Sequence, residues 1–381
     1  MILSEKHLLL KKLFKEFAEK EFTSELLDSL EENGEFNREI HDKMGAYGLL
    51  GLKIPEEYGG SGGDNLAYVL LIEEFAKVSP VLSIYVNTSN SLGSGPLLYC
   101  GTEAQKQAYL PDIASGRKII VFGLTEPEAG SDAGGTRTVA TQMEEGDFII
   151  NGRKTFISGA PFADYAIIYA RTDRTQKGSR GISMFLVDMK LPGVTCGKPE
   201  RKMGITGYPT SDIILDNVRV PEDCLLGPLH KGFSTAMKTL DGGRLGMAAQ
   251  ALGIAEGCLK EAIQYAKTRK QFGKPIASFQ GVSFPLAKLA AEIEAVRELI
   301  YTTAVQLDAG STESSKLCAM CKYLAGELAN ACAYQAVQTF GGYGYIKDYK
   351  VERFYRDARI CTLYEGTTEV QLMVIANSIL R

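Results

Sequence analysis

The hydrophobic rhythm of this chain changes twice, and those two changes constrain the fold more than any single motif does. From the N-terminus to about residue 117, apolar residues recur at helical spacing: Leu8, Leu9, Leu13, Phe14 and Phe17, then Leu26, Leu27 and Leu30, then Ile40, Met44 and Leu49. Further helices are expected around 65–78 and 103–115. From Lys118 the apolar residues alternate instead, in runs at 119–124, 148–150, 165–169, 182–187 and 213–215. Gly and Asp turns separate these runs, among them Glu145-Gly-Asp147 and Asn151-Gly152. After Gly232 the period is helical again over 233–268, 281–308, 314–340 and 368–380. No long helices intervene between the strands, so an antiparallel sheet is expected rather than a parallel one. The expected class is α+β multidomain: an N-terminal helical domain (1–117), a central antiparallel β-sandwich or barrel (118–231) and a C-terminal four-helix bundle (232–381).

A chain of 381 residues can bury a large core. Its formal net charge of -4 and pI near 5.7 argue against nucleic acid or an anionic membrane as the main partner. No apolar run approaches the length of a bilayer span, and the first residues lack a signal-peptide profile, so a cytoplasmic location is expected. The eight cysteines are scattered and read as reduced, mostly buried thiols. Cys318-Ala-Met-Cys321 has metal-site spacing but no second pair and no nearby histidine, and only three histidines exist, far apart. No metal site is expected.

Several stretches carry chemistry. In Leu363-Tyr-Glu-Gly-Thr-Thr368, Glu365 stands at a tight bend before a helix that Thr367 or Thr368 would cap. In a dry setting desolvation would make it a proton acceptor; on a solvated helix start it would only complement the dipole. Phe122-Gly-Leu-Thr-Glu-Pro-Glu-Ala-Gly-Ser-Asp132 runs from a strand into a turn that offers amides and the Thr125 and Ser131 hydroxyls to a flat, acceptor-rich ligand. Phe156 and Ser158 fall on one strand face, an aromatic platform beside a hydroxyl. The glycines at 59–63 read as a surface turn, since no Gly-Lys-Ser/Thr ending follows. Residues 82–95 are small, polar and helix-poor, suited either to lining a pocket or to a helix-packing seam.

Four motifs in order, Leu124 to Asp132, Arg269-Lys-Gln-Phe-Gly273, Gln338-Thr-Phe-Gly-Gly-Tyr-Gly344 and Tyr364-Glu-Gly-Thr-Thr368, resemble those of the acyl-CoA dehydrogenase flavoprotein family, over essentially the whole chain. Leu240-Asp-Gly-Gly-Arg244 is similar to the short-chain, butyryl-CoA type; enoyl-CoA reductases of the caffeyl-CoA reductase type are also similar. The resemblance implies that Phe122, Leu124, Thr125, Gly130, Ser131, Phe156 and Ser158 hold the isoalloxazine and ribityl parts of FAD. It implies that a neighbouring subunit of a homotetramer, a dimer of dimers, brings Arg269, Gln271, Phe272 and Gln280 to the pyrophosphate and adenine, with Gln338, Gly341 and Gly342 nearby. Thr367 and Glu369 would also touch FAD. Asp241, Arg244 and Ser131 would bind the coenzyme A arm, Gly366 would meet the substrate beside the base, and residues 88–91 would line the acyl end.

The implied reaction is α,β-desaturation of a short-chain or compact acyl-CoA, with Glu365 as base, hydride transfer to the flavin and electrons passed to electron-transfer flavoprotein. The reverse, a physiological enoyl-CoA reductase acting on an aryl, cyclic or short-chain substrate, uses the same groups. A non-catalytic helical assembly protein is the alternative from another class. Some relatives place their base at the position of Gly243, which cannot act so. Three features depart from the family pattern: Phe156 where Trp is common, Ser158-Gly-Ala-Pro161 over the flavin, and Pro285 early in a bundle helix.

Overall fold

The structure, a computed structural model, describes residues 2–380; Met1 and Arg381, the outermost residues of the terminal segments expected above, lie outside it. Seven helices come first: α1 (Glu5–Glu21), α2 (Ser24–Asn33), α3 (Arg38–Ala46), α4 (Asn65–Ala76), α5 (Pro80–Thr88), α6 (Gly95–Cys100) and α7 (Glu103–Ala114). Most start where a short polar side chain can accept an otherwise unpaired amide. Ser4, Thr23, Asn37, Asp64, Ser79 and Thr102 do so for α1 to α5 and α7. Every residue of α4 from Leu66 to Ala76 is buried, which makes it the central rod of this region.

The stretch 82–95 corrects the expectation of a helix-poor segment. It is helical throughout α5, then forms a single π-turn at Ser89–Gly93 and continues into α6. Its polar side chains do not compete with the helix, because they bond to carbonyls. Ser83 Oγ donates to Pro80 O (2.7 Å), Ser91 Oγ to Asn87 O (2.7 Å), and Asn90 Nδ2 to Val86 O and Leu49 O (2.8 Å each).

Seven strands follow: β1 (Ile120–Gly123), β2 (Val139–Gln142), β3 (Phe148–Ser158), β4 (Tyr165–Arg171), β5 (Ile182–Asp188), β6 (Val194–Cys196) and β7 (Thr210–Val220). They form one sheet in the order β1-β4-β2-β3-β7-β6, with β5 also on β4. Most pairings are antiparallel as expected, but β4 runs parallel to β1 from Ile120↔Tyr165 to Gly123↔Ile168 and meets β2 in parallel at Val139↔Arg171. Alternation of apolar residues carries no information about strand direction, so these pairings were invisible in the sequence. The short strands β2 and β6 lacked a legible pattern for the same economy of residues.

The last third contains α8 (Gly232–Thr268), the hairpin β8 (Lys270–Gln271) and β9 (Lys274–Pro275), then α9 (Gln280–Asp308), α10 (Ser314–Phe340), α11 (Lys350–Ala358) and α12 (Thr368–Ile379). Pro285 lies inside α9, which starts five residues earlier and continues through it. Helix α11 was not expected; its buried Val351, Phe354 and Ala358 follow helical spacing over only nine residues. One apolar core joins α1, α2, α4 and α5 to α8, α9 and α10, while the sheet carries a separate core on each face. All eight cysteines are free thiols, and Cys258, Cys318, Cys321, Cys332 and Cys361 are buried. Among the described residues no helix is long and apolar enough to cross a membrane.

Candidate active site

Between α11 and α12 the chain turns sharply, and Glu365 takes the left-handed backbone conformation (φ 50°). A non-glycine residue there costs about 1–3 kcal/mol, so surrounding contacts must impose it. They come from three helices. Gln371 Nε2, on α12, donates to the carbonyls of Glu365 (3.2 Å) and Gly366 (2.8 Å). Lys322 Nζ, on α10, donates to the Gly366 carbonyl at 2.6 Å. The Tyr364 hydroxyl donates to Gln250 Oε1 on α8, and Gln250 Nε2 in turn donates to Pro80 O (2.8 Å) and Ser83 Oγ (2.9 Å). With both carbonyls tied, the amides of Glu365 and Gly366 donate to no protein acceptor among the described residues. Thr367 caps α12 by accepting the Val370 amide (3.4 Å), so Glu369 rather than Glu365 occupies the first turn of that helix.

The Glu365 side chain points into the protein. The residue as a whole is half-buried, but its Oε2 touches no solvent and has no hydrogen-bond partner. Burial pushes its carboxyl up to about 7, against the opposing charges of Lys322 and Arg244. Room for the carboxylate exists because residue 243 has no side chain: a β-carbon on Gly243 would overlap Glu365 Oε2 and lie 3.1 Å from Leu92 Cδ2. One turn along α8, Gly246 makes room in the same way for the buried Tyr68 hydroxyl, which donates to Asn87 Oδ1. Ser91 Oγ also meets Asn87 Oδ1 at 3.1 Å, and Lys53 Nζ lies 4.9 Å from the centre of the Tyr68 ring. The π-turn thus borders the same space beside Gly243 through Leu92, and at Gly93 it packs against Ile120 of β1 so closely that a β-carbon would sit 2.7 Å from Ile120 Cγ2.

Asp241 and Arg244 lie on α8 beside this pocket. Arg244 Nη1 donates to Asp241 Oδ1 (2.5 Å), Ser315 Oγ donates to the same oxygen (3.1 Å), and the buried Arg244 Nε has no partner. Burial raises the Asp241 carboxyl, with Arg244 opposing.

On the sheet side, Phe122 is the penultimate residue of β1, with its ring centre 5.1 Å from that of Tyr169. The turn carrying Leu124, Thr125, Gly130 and Ser131 is pinned by a buried ion pair: Lys154 Nζ donates to Glu126 Oε1 (2.7 Å) and to Leu124 O (3.1 Å), and the Glu126 carboxylate accepts the amides of Arg137 (2.7 Å) and Thr138 (3.1 Å). Gly130 and Ser131 are exposed, with open space around the Gly130 α-carbon. Phe156 and Ser158 both face outward on either side of buried Ile157, although β3 bulges between Lys154 and Ile157 and Phe156 itself has φ 57°.

A second group gathers elsewhere. Arg269, Gln271 and Phe272 sit in or next to the β8–β9 hairpin, Gln280 begins α9, Gln338 lies in the last turn of α10, and Gly341 and Gly342 follow that helix; all are exposed. The Arg269 guanidinium lies 5.6 Å from the centre of the Tyr343 ring, and both Gly341 and Gly342 have open space where a β-carbon would be. Arg244 and Arg269 are separated by about 25 residues of helix, roughly 38 Å at 1.5 Å per residue, so one chain cannot bring both groups to one point.

Sequence reading missed Lys322, Gln371, Gln250 and Tyr68. The signal was present for Lys322: it falls in the stripe of Cys318, Cys321, Ala325 and Ala329, where a charged residue is out of place.

Comparison with known proteins follows the same path along the chain. Family profiles match in order: the acyl-CoA dehydrogenase N-terminal domain at residues 4–117, the middle domain at 121–218 and the C-terminal domain at 230–380. The chain is 54% identical over 382 residues to the caffeyl-CoA reductase-Etf complex subunit CarC of Acetobacterium woodii and 51% identical over 382 residues to the 3-(aryl)acrylate reductase of Clostridium sporogenes, each alignment covering 100% of both chains. The solved structure of butyryl-CoA dehydrogenase from Megasphaera elsdenii superposes with a TM-score of 0.96 at 42% identity, again over 100% of both chains. Three family profiles in order, with relatives and a solved fold shared over the whole length, place this chain in the acyl-CoA dehydrogenase family of FAD-dependent oxidoreductases acting on a CH–CH group.

Proposed function

We propose that this protein interconverts an acyl-CoA and its α,β-unsaturated counterpart with Glu365 as the proton-transferring residue, that it works as a reductase of aryl-substituted or similarly compact enoyl-CoA thioesters, and that it exchanges electrons with electron-transfer flavoprotein. The observation that carries this reading is the unpartnered, dry Oε2 of Glu365. A carboxyl at about 7 is charged and uncharged in comparable amounts at neutral pH, so it can take the α-proton of a saturated thioester or give one to an enoyl thioester. The free amides of the Glu365–Gly366 bend are donors for the thioester oxygen where negative charge develops. Asp241, Arg244 and Ser131 are assigned to the coenzyme A arm, and Tyr68, Asn87 and Ser91 to the acyl side.

The residues present fit FAD. The turn at 124–131 is held rigid from behind by Lys154 and Glu126 while Gly130 and Ser131 stay open in front, and Phe156 and Ser158 offer an exposed ring and hydroxyl. FAD, when bound, supplies the two-electron carrier for the β-hydrogen. Arg269, Gln271, Phe272, Gln280, Gln338, Gly341 and Gly342 are assigned to its phosphate and adenine end, supplied from another copy of the chain, with Thr367 and Glu369 beside the catalytic loop. The roughly 38 Å between the two groups supports such sharing. So do large apolar side chains left exposed around that end, including Phe272, Phe284 and Tyr345. A homotetramer and a cytoplasmic location go with this reading.

The names of the two reductases above 50% identity support the reductive direction. The test is an anaerobic flavin titration of wild type and Glu365→Gln, with butyryl-, cyclohexanecarboxyl- and phenylpropionyl-CoA on the oxidised enzyme and the matching enoyl thioesters on the reduced enzyme. Reoxidation by an aryl enoyl-CoA in wild type alone is the expected result. Bleaching by butyryl-CoA with no response to aryl enoyl-CoA would instead make the protein a short-chain dehydrogenase, and no response to any thioester would remove the reading.

A further inference from the structure

Lys322 occupies a position that α10 otherwise gives to apolar residues. It is 1% exposed, and Cys318, Cys321, Ala325 and Ala329 share its buried side. Among the described residues no carboxylate lies within ion-pair distance of its ammonium, whose hydrogen bond goes to the Gly366 carbonyl at 2.6 Å. An ammonium buried without a counter-ion is strongly unfavourable unless something nearby gains from its charge. What lies nearby is the Glu365–Gly366 bend.

We propose that Lys322 is a positioning residue for the Glu365 proton step: its ammonium locks the Gly366 carbonyl so that Glu365 keeps its left-handed bend, and its charge stabilises the ionised carboxyl inside a dry pocket. This rests on the reading of Glu365 as the proton-transferring group. The two effects share one contact. Gln371 also holds the Gly366 carbonyl, but as a neutral amide it contributes geometry without charge. Arg244 is the other cation acting on Glu365, less strongly than Lys322, and its guanidinium also donates to Asp241 at 2.5 Å.

The groups facing Glu365 are Tyr364 on its own segment, Lys322 from α10, Arg244 from α8, Tyr68 from α4 and Gln371 from α12. Those acting on Lys322 are Cys361, Glu365, Arg244 and Glu327. Burial pulls the Lys322 ammonium down to about 8, which leaves it mostly charged at neutral pH, and burial pushes the Cys361 thiol up to about 12, which leaves it neutral. Of the two anions acting on the ammonium, Glu365 acts more strongly than Glu327, so Glu365 is the partner that gains most from the charge. A cation within about 4–6 Å of a carboxyl lowers it by about one pH unit or more.

The test uses the FAD-loaded enzyme as wild type, Lys322→Met, Lys322→Gln and Lys322→Arg, with Glu365→Gln to assign the signal. Difference infrared spectroscopy follows the protonated Glu365 carboxyl against pH, and the pH profile of thioester α-proton exchange is recorded beside it. In Lys322→Met the titration midpoint should rise by about one unit, a tenfold gain in proton affinity, and the exchange profile should move with it. Lys322→Gln, which keeps a donor for Gly366 without the charge, should show the same rise and carries the test should the methionine variant not fold. Lys322→Arg should titrate close to wild type. A midpoint that stays put or falls in the folded neutral variants overturns the proposal. Full exchange activity in Glu365→Gln would instead remove the base assignment, and the infrared midpoints would still decide what Lys322 does to that carboxyl.

Discussion

Two residues with nearly the same unusual backbone angle sit in opposite surroundings. Glu365 (φ 50°) is held among three helices by Lys322, Gln371 and the Tyr364–Gln250 bond, with its carboxylate oxygen dry. Phe272 (φ 51°) is 92% exposed at the tip of a two-residue hairpin. Its angle needs no tertiary contact: Phe272 and Gly273 (φ 76°) are the two central residues between β8 and β9, and a turn with both in the left-handed region matches the twist of paired strands. At Glu365 the bend is imposed from outside and aims a functional group inward. At Phe272 it is local and presents an apolar ring outward. The first bend depends on contacts from distant parts of the chain; the second is self-contained and leaves its ring exposed.

The largest expected effect comes from Glu365→Gln, which keeps shape and loses the proton acceptor. Turnover should fall about 100- to 10,000-fold with melting little changed, measured by steady-state kinetics; a smaller loss would mean that the held bend is not the reacting centre. Gly246→Ala places a β-carbon on the Tyr68 hydroxyl and should cost about 1–3 kcal/mol, seen as a lower melting temperature. The equivalent change in the open region, Gly342→Ala, has no neighbour to strike and should leave melting unaltered.

Stability against pH sharpens the same contrast. The Glu365 carboxyl is raised from 4.5 to about 7 by burial, so the folded state binds a proton more tightly than the unfolded chain does. The stability this contributes is fully present below about pH 4.5 and is lost as pH rises through about 7. Relative to Glu365→Gln, wild type should therefore lose on the order of 1–3 kcal/mol between pH 5 and 8, checked by denaturant unfolding at both values. The smallest effect is expected for Phe272→Gly. Removing the left-handed penalty offsets the added chain entropy, so melting should shift by less than about 1 kcal/mol while FAD retention and subunit assembly, read by gel filtration, weaken. An unchanged assembly would mean that the exposed ring serves neither.

Much of the fold was legible because long helices and buried strands repeat their pattern many times; α8, α9, α10 and α12 begin and end within a residue or two of where periodicity places them. Short elements such as β2, β6 and α11 repeat it too few times to stand out. Strand direction left no trace, and the segment at 82–95 looked unlike a helix because its serines and asparagines bond inside the helix, a fact of three dimensions. Within the site, Glu365 was visible as a carboxylate at a bend, whereas Gln250 and Tyr68 resembled any polar residue in an apolar stretch until their partners 114 and 19 residues away came into view.

The missing side chain at Gly243 has a historical consequence. Its empty volume and the Glu365 carboxylate are one and the same space, so a chain that carried its base on α8 instead could not also keep this glutamate in place. Moving the base between the two positions takes two coupled replacements. On the role proposed for Glu365, every single-step intermediate has either two groups competing for one cavity or none to do the work. On the same proposal, residue 243 distinguishes the two arrangements, because only the absence of a side chain there leaves room for the carboxylate at 365.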